Sequence, residues 1–531
     1  MTLVRRDVAL ASMLAAAATT ALLTIAPPGV DLAAHVYQRG FFLQHGFSFW
    51  NNFWYGGHYT FVGYSLLYYP LAALAGFVPL AVLAAAGTAG GFALLVLHTW
   101  GERGRLAIWA FAVFWPAVVL GAAFPFELGM AFAVLAAAAL HAGRRTAFGT
   151  LAALTLLTSP LALIFLAVAL TAMAFAGRLD RTRILVPLTI LAVPLLAELA
   201  VTRAFPSAGR FPFPLADYAA TMTFCALGLV STRGVQNARA LQAFFAVYTA
   251  LATISFAVPS SLGSNVDRMR FAALPLALLV LSLRDWKPLK LALPVLALAT
   301  CWNLTPAVAA VLRSSPDAES AYWAPAIGAL QQRLSPSYRV EVVDTTDHWA
   351  AAYLPAAGIS IVRGWFRQDD FPTNEALYDA ADLNAPVYLH WLRSVGAAYV
   401  LLPDAAPDYS ARAEARLIGS GHSGLRFVER TGHVRIYAVP DPWRIVRGPA
   451  RAAITQMTAT TLRLALGAPG RYHLAVRWSP YWHLDHGCTS RAPDGSMWLR
   501  TPRAGPVTLR FEIDVQRGLA ALAGLPAPTC A

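Results

Sequence analysis

Long apolar runs constrain this chain more than any other feature of its sequence. Between residues 8 and 313 they recur at lengths near the ~20 residues that cross a bilayer as a helix, with short polar loops between them. Of the 531 residues, 57% are hydrophobic and 13% are charged, which is too apolar for an ordinary soluble protein. The sequence therefore predicts a polytopic membrane protein.

Basic residues are distributed unevenly among the loops, which indicates an orientation because cytoplasmic loops are enriched in Lys and Arg. One set of loops carries Arg5/Arg6, Arg103/Arg105, Arg144/Arg145, Arg178/Arg181/Arg183, Arg233/Arg239 and Arg284/Lys287/Lys290. The opposite set carries only Arg39, Arg203, Arg210, Arg268 and Arg270. We expect a cytoplasmic N-terminus in the cytoplasmic membrane. The net charge of +13 lies in short clusters rather than in a stripe, so nucleic acid is not an expected partner.

This orientation requires about eleven transmembrane helices. They are expected near residues 8–26, 78–100, 106–124, 129–142, 148–160, 160–177, 184–204, 214–232, 240–258, 270–284 and 291–313. The apolar piece 64–77 is placed in a large first outer loop, 27–77, as a juxtamembrane or re-entrant helix. A twelfth span is the alternative.

From residue 314 onward, charged residues, Pro and Gly become more frequent and no run is long enough to span a membrane. An odd number of crossings places this region outside the cytoplasm. Residues 339–344, 358–363 and 397–402 are expected to be strands of an α/β subdomain, 314–442, with a helix at 324–334. Alternating segments such as 472–478 and 507–513 predict a β-rich module, 443–531. A disulfide between Cys488 and Cys530 is left open.

The first outer loop contains a concentration of polar and aromatic residues. Asp31 and His35 are spaced to share one helical face, and an acid at a membrane boundary can act as a general base. The aromatic and polar side chains that follow suit sugar rings and their hydroxyls: Trp50, Asn52, Trp54, Tyr55 and His58. Two structural interpretations stay open, in which Asp31 caps a helix and the aromatic residues form an interfacial belt.

Later outer segments add further candidates. Glu127 lies in a short outer turn, and Arg268 and Arg270, with Asn265, lie in another. Guanidinium groups bind phosphate with bidentate geometry, although these two could instead contact lipid headgroups or Asp267. In the C-terminal region we expect Arg363, Trp365 and Asp369 to help bind an acceptor. The pair His483 and His486 is not expected to bind a metal.

These positions together resemble the GT-C superfamily of polytopic membrane glycosyltransferases, which use polyprenyl-phosphate-linked sugars. In that superfamily an acid follows the first span, which matches Asp31, and a second acid often lies in the next outer loop, which matches Glu127. The segments at 31–35, 54–58, 263–265 and 363–365 also resemble a group of actinobacterial-type GT-C-like membrane proteins. A GT-C-like membrane domain, 1–313, followed by a C-terminal extracytoplasmic region is the implied fold.

The resemblance implies hexosyl or pentosyl transfer from a polyprenyl-phosphate sugar donor to a glycan, glycolipid or protein of the cell envelope, at the outer face of the membrane. Asp31, His35 and Glu127 would be catalytic, and Arg268, Arg270 and Asn265 would bind the donor phosphate. No cofactor is expected, and participation of a divalent cation is left open. The alternatives are a transporter or flippase of envelope lipid or glycan, and a non-catalytic assembly protein on a GT-C scaffold.

Overall fold

The structure is a computed structural model that describes residues 2–177, 181–206 and 209–524. Contacts between Cα atoms divide it into two compact units. The membrane unit comprises residues 1–29, 63–199 and 210–314, and the mixed unit comprises 30–62, 200–209 and 315–531. The segment 30–62, which follows the first apolar helix, thus belongs to the same unit as the C-terminal half of the chain.

Helices make up the membrane unit, together with short 3₁₀ segments at 115–121 and 263–272. They are α1 Thr2–Ile25, α3 Tyr68–Ala75, α4 Phe77–Trp100, α5 Arg105–Phe114, α6 Phe124–His141, α7 Arg145–Thr158, α8 Pro160–Phe175, α9 Arg181–Ala204, which continues into the mixed unit, α10 Leu215–Thr232, α11 Arg239–Ala257, α12 Ala273–Leu283 and α13 Leu289–Val311. The helix α2, Leu32–His45, belongs to the mixed unit.

Six helical stretches within the described residues are long and apolar enough to cross a membrane: Val4–Ile25, Phe77–Gly121, Phe124–His141, Leu215–Thr232, Arg239–Ala257 and Leu289–Val311. The chain is therefore a multi-pass membrane protein, as predicted. Each of the other predicted spans overlaps a helix, but the expected count of about eleven crossings is not confirmed. The predicted loop residue Arg178 lies outside the described part of the chain.

The apolar piece 64–77 contains the eight-residue helix α3. At 1.5 Å per residue it is about 12 Å long, which is too short to cross a bilayer. Gly76, with φ +80°, separates it from α4. This geometry agrees with a juxtamembrane helix rather than with a twelfth span.

Small side chains let the first helices of the membrane unit approach one another closely. On α1, Ala11, Ala15 and Thr19 are fully buried, and a Cβ added at Gly90 of α4 would lie 2.5 Å from the Ser12 hydroxyl. Small residues at a helix contact allow this close packing in membranes, where dispersion contacts replace the hydrophobic driving force.

The mixed unit contains three four-stranded sheets. Its strands are β1 Arg339–Val342, β2 Ala397–Pro403, β3 Arg426–Thr431, β4 Val434–Ala438, β5 Val446–Arg447, β6 Ala452–Met457, β7 Thr461–Leu466, β8 Gly470–Leu474, β9 Trp482–Leu484, β10 Cys488–Arg491, β11 Met497–Thr501 and β12 Gly505–Phe511. Its later helices are α14 Ser320–Gln331, α15 Ala350–Ala356, α16 Ala385–Ser394, α17 Arg412–Gly419 and α18 Val515–Leu522.

The first sheet has the order β1-β2-β4-β3, with β1 and β2 parallel and the other pairs antiparallel. The predicted strand at 358–363 is wrong, because this segment makes only an isolated bridge between Ile361 and Val340. The Ile361 amide donates to Phe53 O of the first outer loop, whereas the Val362 amide donates to Val340 O.

The other two sheets, β10-β11-β8-β5 and β6-β7-β12-β9, are antiparallel and share one hydrophobic core. Alternation decides which side chains enter it, so that Leu462, Leu464 and Leu466 of β7 are buried. Trp50 belongs to the same core: its ring stacks on Phe511 with 4.8 Å between centroids. The segment 30–62 thus supplies part of the core of the β-rich region. The predicted domain bounds at 314, 442 and 443 stay predictions, and the Cys488–Cys530 pair involves Cys530, outside the described residues.

The turn at Gly57 packs directly against Trp50, and a substitution at Gly57 tests this contact. A Cβ at Gly57, where φ is +125°, would lie 2.2 Å from Trp50 Cζ2. We expect Gly57→Ala to destabilise the protein by at least about 3 kcal/mol, from overpacking and backbone strain together. Thermal unfolding of the detergent-solubilised protein measures the change.

Gly46→Ala is the matched control, because Gly46 also has a positive φ, +60°, but no atom lies within 4 Å of its added Cβ. Backbone strain alone should cost about 1–3 kcal/mol there. Equal losses for the two variants would contradict the assigned contact with Trp50.

Candidate functional site

Asp31 and His35 occupy the beginning of α2, one turn apart. The amide of His35 donates to Asp31 O at 3.3 Å. Asp31 stands at the N-cap position, but its side chain makes no capping hydrogen bond, so the structure does not show the capping role left open by the sequence. His35 is fully buried, with its ring 6.2 Å from that of Trp365. These three predicted residues therefore lie in the same unit.

The buried face of α2 carries a further polar residue that sequence reasoning missed. Gln38 is 1% exposed, and neither its amide nitrogen nor its carbonyl oxygen has a partner in the described structure. It follows His35 by three residues and therefore lies on the same face. The sequence signal that could have found Gln38 is its spacing, because Asp31, His35 and Gln38 occupy positions i, i+4 and i+7.

The predicted aromatic platform is largely a packing cluster. Trp50 and Trp54 are both fully buried, and Trp54 Nε1 donates to Ala351 O at 2.9 Å. Asn52 accepts from Trp50 Nε1 at 2.8 Å and donates to Thr458 O at 2.9 Å. In this structure these three predicted sugar-binding residues instead attach the loop to the folded core, because their polar groups and ring faces are already in contact with protein.

Tyr55 and Trp365 are the half-buried members of the predicted aromatic set. The Tyr55 hydroxyl has no partner in the described structure, and burial, with a smaller contribution from Asp370, raises the pKa of Tyr55 well above its usual value. The hydroxyl therefore stays protonated and can donate a hydrogen bond.

His58 and Asp369 form the closest predicted pair. His58 Nδ1 lies 2.5 Å from Asp369 Oδ2, and Arg477 donates to the other carboxylate oxygen at 2.8 Å. Burial works to raise the pKa of Asp369, but Arg477 and His58 hold it below its usual value. Since an ionised carboxylate only accepts, Nδ1 carries the proton. Nε2, the other ring nitrogen, is buried without a protein partner in the described part of the chain.

Arg363, predicted to contact an acceptor, is 3% exposed and lies within an internal ion network. Its guanidinium makes a two-pronged contact with Asp370, at 3.2 Å on each oxygen. Glu341 and Glu414 lie 3.9 Å from its remaining nitrogen. These contacts occupy the guanidinium, so the structure places Arg363 in the interior of the α/β region rather than on a binding surface.

Carboxylates outnumber guanidinium groups in this interior. Burial, together with mutual repulsion from Glu414, raises the pKa of Glu341 well above its usual value, and neither oxygen of Glu341 has a hydrogen-bond partner. Burial raises the pKa of Glu414 as well. A buried carboxyl that lacks a matched cation protonates rather than bears an unpaired charge, so Glu341 is held neutral.

A second set of buried charges surrounds Arg367, which sequence reasoning missed. It donates to Asp344, and to Asp408 at 3.1 Å, while His348 Nδ1 lies 2.9 Å from Asp344 Oδ2. Burial alone would raise the pKa of Asp344, but His348 and Arg367 hold it below its usual value. The residues come from separate segments of the chain, so no local motif signalled the group.

Glu127, in the membrane unit, is fully buried at the first turn of α6. Trp115 Nε1 donates to one carboxylate oxygen at 2.7 Å, and the Thr88 hydroxyl lies 3.3 Å from the other. The acid therefore links α4, α6 and the 3₁₀ segment 115–121.

The predicted donor-binding residues share the 3₁₀ segment 263–272. Asn265 is half-buried there, and the Arg268 guanidinium carbon lies 5.3 Å from the centroid of the Phe126 ring. Arg270 NH1 donates to Asp267 at 3.3 Å, and Arg270 Nε is buried without a partner. Arg268 and Glu127 thus approach the same end of α6.

Arg270 also lines a cavity of about 570 Å³ among α10, α11, α12 and α13. The lining positions on α10 run from Asp217 to Ser231, which corresponds to ~21 Å along the helix. Most other lining residues are apolar, among them Phe224 and Trp302. The cavity is an elongated apolar space with charged side chains at one end. Asp217 and the cavity were not foreseen from the sequence.

No group of three or more His, Cys, Asp or Glu residues in the described part of the chain is arranged to hold a metal ion. No chemical step is assigned to a divalent cation.

Protein-family models and curated proteins give no match to this sequence. Among solved structures, the arabinofuranosyltransferase AftD from Mycobacteria matches with a TM-score of 0.47 and 17% identity, over 90% of this chain and 42% of AftD. A mutant AftD structure gives 0.47 and 20%, over 83% and 42%. The oligosaccharyltransferase AglB from Archaeoglobus fulgidus, in complex with an inhibitory peptide and a dolichol-phosphate, gives 0.37 and 13%, over 81% and 74%.

The chain is thus similar to two glycosyltransferases of known structure, the resemblance that the sequence predicted. It spans 42% of the length of the AftD structures.

The contacts of Asp369 predict an acid-sensitive fold. A depressed native pKa contributes stability that is present above the unfolded value, near pH 4, and lost as the pH falls below it. We expect Asp369→Asn to cost about 3 kcal/mol at pH 7 by leaving Arg477 unpaired. Its unfolding temperature should then fall less than that of the wild type between pH 5 and pH 3.

The exposed acid Asp382 provides the control for this experiment. Asp382→Asn should keep the wild-type stability and its dependence on pH. If Asp369→Asn showed the full wild-type slope, the assigned linkage would be wrong. Circular dichroism of the detergent-solubilised protein across that pH range makes the comparison.

Proposed function

We propose that this chain is a membrane glycosyltransferase that moves a sugar from a polyprenyl-phosphate donor to a cell-envelope acceptor at the outer face of the cytoplasmic membrane. The observation that carries the proposal is the cavity of about 570 Å³ in the membrane unit, which has a mostly apolar lining and the charged side chains Arg270 and Asp217 at one end. A polyprenyl phosphate is likewise apolar along its length and charged at one end, because its long hydrocarbon chain ends in an anionic group.

Arg270 has the hydrogen-bonding capacity that phosphate recognition requires. Asp267 engages NH1, whereas Nε has no partner and is buried. A guanidinium at the edge of an apolar space binds an anion more strongly than one in bulk water, because fewer water molecules screen the charge. In the proposed reaction Arg270 stabilises the polyprenyl phosphate as it leaves the anomeric carbon. Arg268 and Asn265, on the same 3₁₀ segment, are assigned to the donor as well.

Asp31 is proposed as the general base, with His35 beside it. Asp31 is the sixth residue after Ile25, the end of α1, and therefore lies at most about 21 Å from it along the chain. The acid is therefore tied to the membrane boundary, where the sugar of a lipid-linked donor lies. In the transfer, the acceptor oxygen bonds to the anomeric carbon, the bond from that carbon to the phosphate oxygen breaks, and Asp31 takes the proton of the acceptor hydroxyl.

Acceptor recognition is assigned to the mixed unit. Two buried polar atoms on one short segment lack protein partners, the Tyr55 hydroxyl and His58 Nε2. Unsatisfied buried polar atoms carry a free-energy cost that a ligand hydroxyl relieves. Trp365, half-buried beside His35, offers a ring face, and the contact with Asp369 orients the His58 ring. Glu127 is assigned to positioning, since Trp115 and Thr88 occupy its oxygens.

Asp31→Asn tests the base. We expect loss of at least about 100-fold in kcat, the usual contribution of a positioned base, with unchanged insertion into the membrane. The assay measures transfer of labelled sugar from membrane polyprenyl-phosphate sugars to envelope glycans in membranes from a deletion strain. Asp382→Asn should retain wild-type activity, and an active Asp31→Asn enzyme would refute the assignment.

Arg270→Gln tests the lipid donor. Loss of a charge-assisted hydrogen bond of about 1.5–3 kcal/mol should lower kcat/KM for the polyprenyl-phosphate sugar by roughly 10- to 100-fold. Arg233→Gln, which removes an exposed arginine beyond the opposite end of α10, is the matched control and should behave as wild type. Equal kinetics for all three proteins would exclude the cavity as the donor site. Lipid movement in proteoliposomes without any glycosylated product would favour a flippase instead.

A further inference from the structure

A cleft lies on the face of the sheet β10-β11-β8-β5 that is opposite the hydrophobic core. The proposed reaction does not use this cleft. It is an open cleft of about 890 Å³, in the range of ligand sites. Its lining residues are Ser394, Trp443, Arg447, Gly448, Pro449, Pro469, Gly470, Arg471, His473, Asp494 and Trp498. The largest side chains in this lining are aromatic or cationic.

Strand register explains why these side chains lie together. His473 of β8 pairs with Arg447 of β5 on one side and with Trp498 of β11 on the other. Paired residues project from the same face of a sheet, so the three stand in a row across three strands. Their neighbours along the strands, such as Leu474 and Leu499, are fully buried in the core. The row therefore lies on the face opposite the core.

Both tryptophans of the cleft carry a guanidinium on the ring. Arg447 Cζ lies 4.5 Å from the centroid of Trp443, and Arg471 Cζ lies 4.1 Å from the centroid of Trp498. Both distances are within the range of cation–π contacts, and a guanidinium donates hydrogen bonds to an oxyanion from its edge. Nε of Arg447 is buried without a protein partner.

A hydrogen-bonded chain fixes the middle of the row. Arg447 NH2 donates to His473 Nδ1 at 3.1 Å, and His473 Nε2 donates to Ser496 at 2.7 Å. Ser496 in turn donates to Asp494 at 2.5 Å. Because Arg only donates, Nδ1 must accept, and His473 is therefore neutral. Burial lowers the pKa of His473, which agrees with this state. Asp494 is the one acid among the described residues that line the cleft, and its carboxylate accepts the hydrogen bond from Ser496.

We propose that this cleft binds an acidic glycan, a chain of sugars that bears carboxylate or phosphate groups. Arg447 and Arg471 supply the charge that complements the acidic groups, and Trp443 and Trp498 add aromatic surface beside them. Arg500, paired with Arg471 across β8 and β11, adds positive charge beside it. The site belongs to the β-rich region and binds without turnover, so it does not depend on the proposed transfer reaction.

The experiment measures binding of a fluorescent galacturonic acid hexamer to the full-length protein in lipid nanodiscs, without any sugar donor. Its methyl ester has the same sugar chain without the charges and serves as the matched probe. We expect the acid to bind at least about tenfold more tightly than the ester, with an affinity that falls as salt rises. Equal binding of the two probes, or no binding of either, would overturn the proposal.

Variants locate the binding. Arg471→Gln, at an exposed position, should weaken binding of the acid roughly tenfold or more, and Trp498→Ala should weaken binding of both probes. Arg463→Gln on β7, an exposed arginine of the other sheet, should leave both unchanged. Unaltered binding by Arg471→Gln would refute the site whatever the stability of Trp498→Ala. Binding to anionic phospholipid vesicles that the hexamer does not displace would also refute it.

Discussion

The mixed unit depends on the contacts that the Asp369 carboxylate makes with His58 and Arg477. The carboxylate accepts from His58 of the first outer loop and from Arg477, which follows β8, while its own segment lies between β1 and β2. Three distant parts of the chain therefore meet at one buried charge. Removing the carboxylate would leave a buried cation without its partner, and breaking such a pair costs far more than its net contribution when intact. The positions of these three segments relative to one another are therefore closely fixed.

Around this junction, the interior of the α/β region is unusually charged. Two arginines, Arg363 and Arg367, face five buried carboxyl groups, and Glu341 is held neutral because no matched cation remains for it. Such an interior contributes less to stability than apolar packing of equal volume, because desolvation offsets the attraction. It does restrict the arrangement of the segments, since every shift leaves a polar group unpaired. The loop that carries Tyr55 and His58 is held against this rigid base.

The two proposed binding regions use different physics. In the membrane unit, an apolar cavity lined by Arg270 at one end suits a hydrocarbon chain with a charged head. On the β-rich region, a solvent-facing row of Arg447, His473 and Trp498 suits a polar chain with charged groups. The first is predictable in outline from an arginine beside an apolar helix. The second depends on strand register, because its residues are unremarkable in sequence and meet only when β5, β8 and β11 pair.

The sequence by itself determined the multi-pass helical half, since apolar runs of bilayer length leave no other stable structure in lipid. It also placed Asp31 and His35 on one helical face, because their four-residue spacing is a local property. Only the tertiary structure decided that Trp50 and Trp54 are packing residues and that Arg363 is internal. An aromatic or a charged side chain has the same identity on a surface and in a core, and its contacts are set by segments hundreds of residues away.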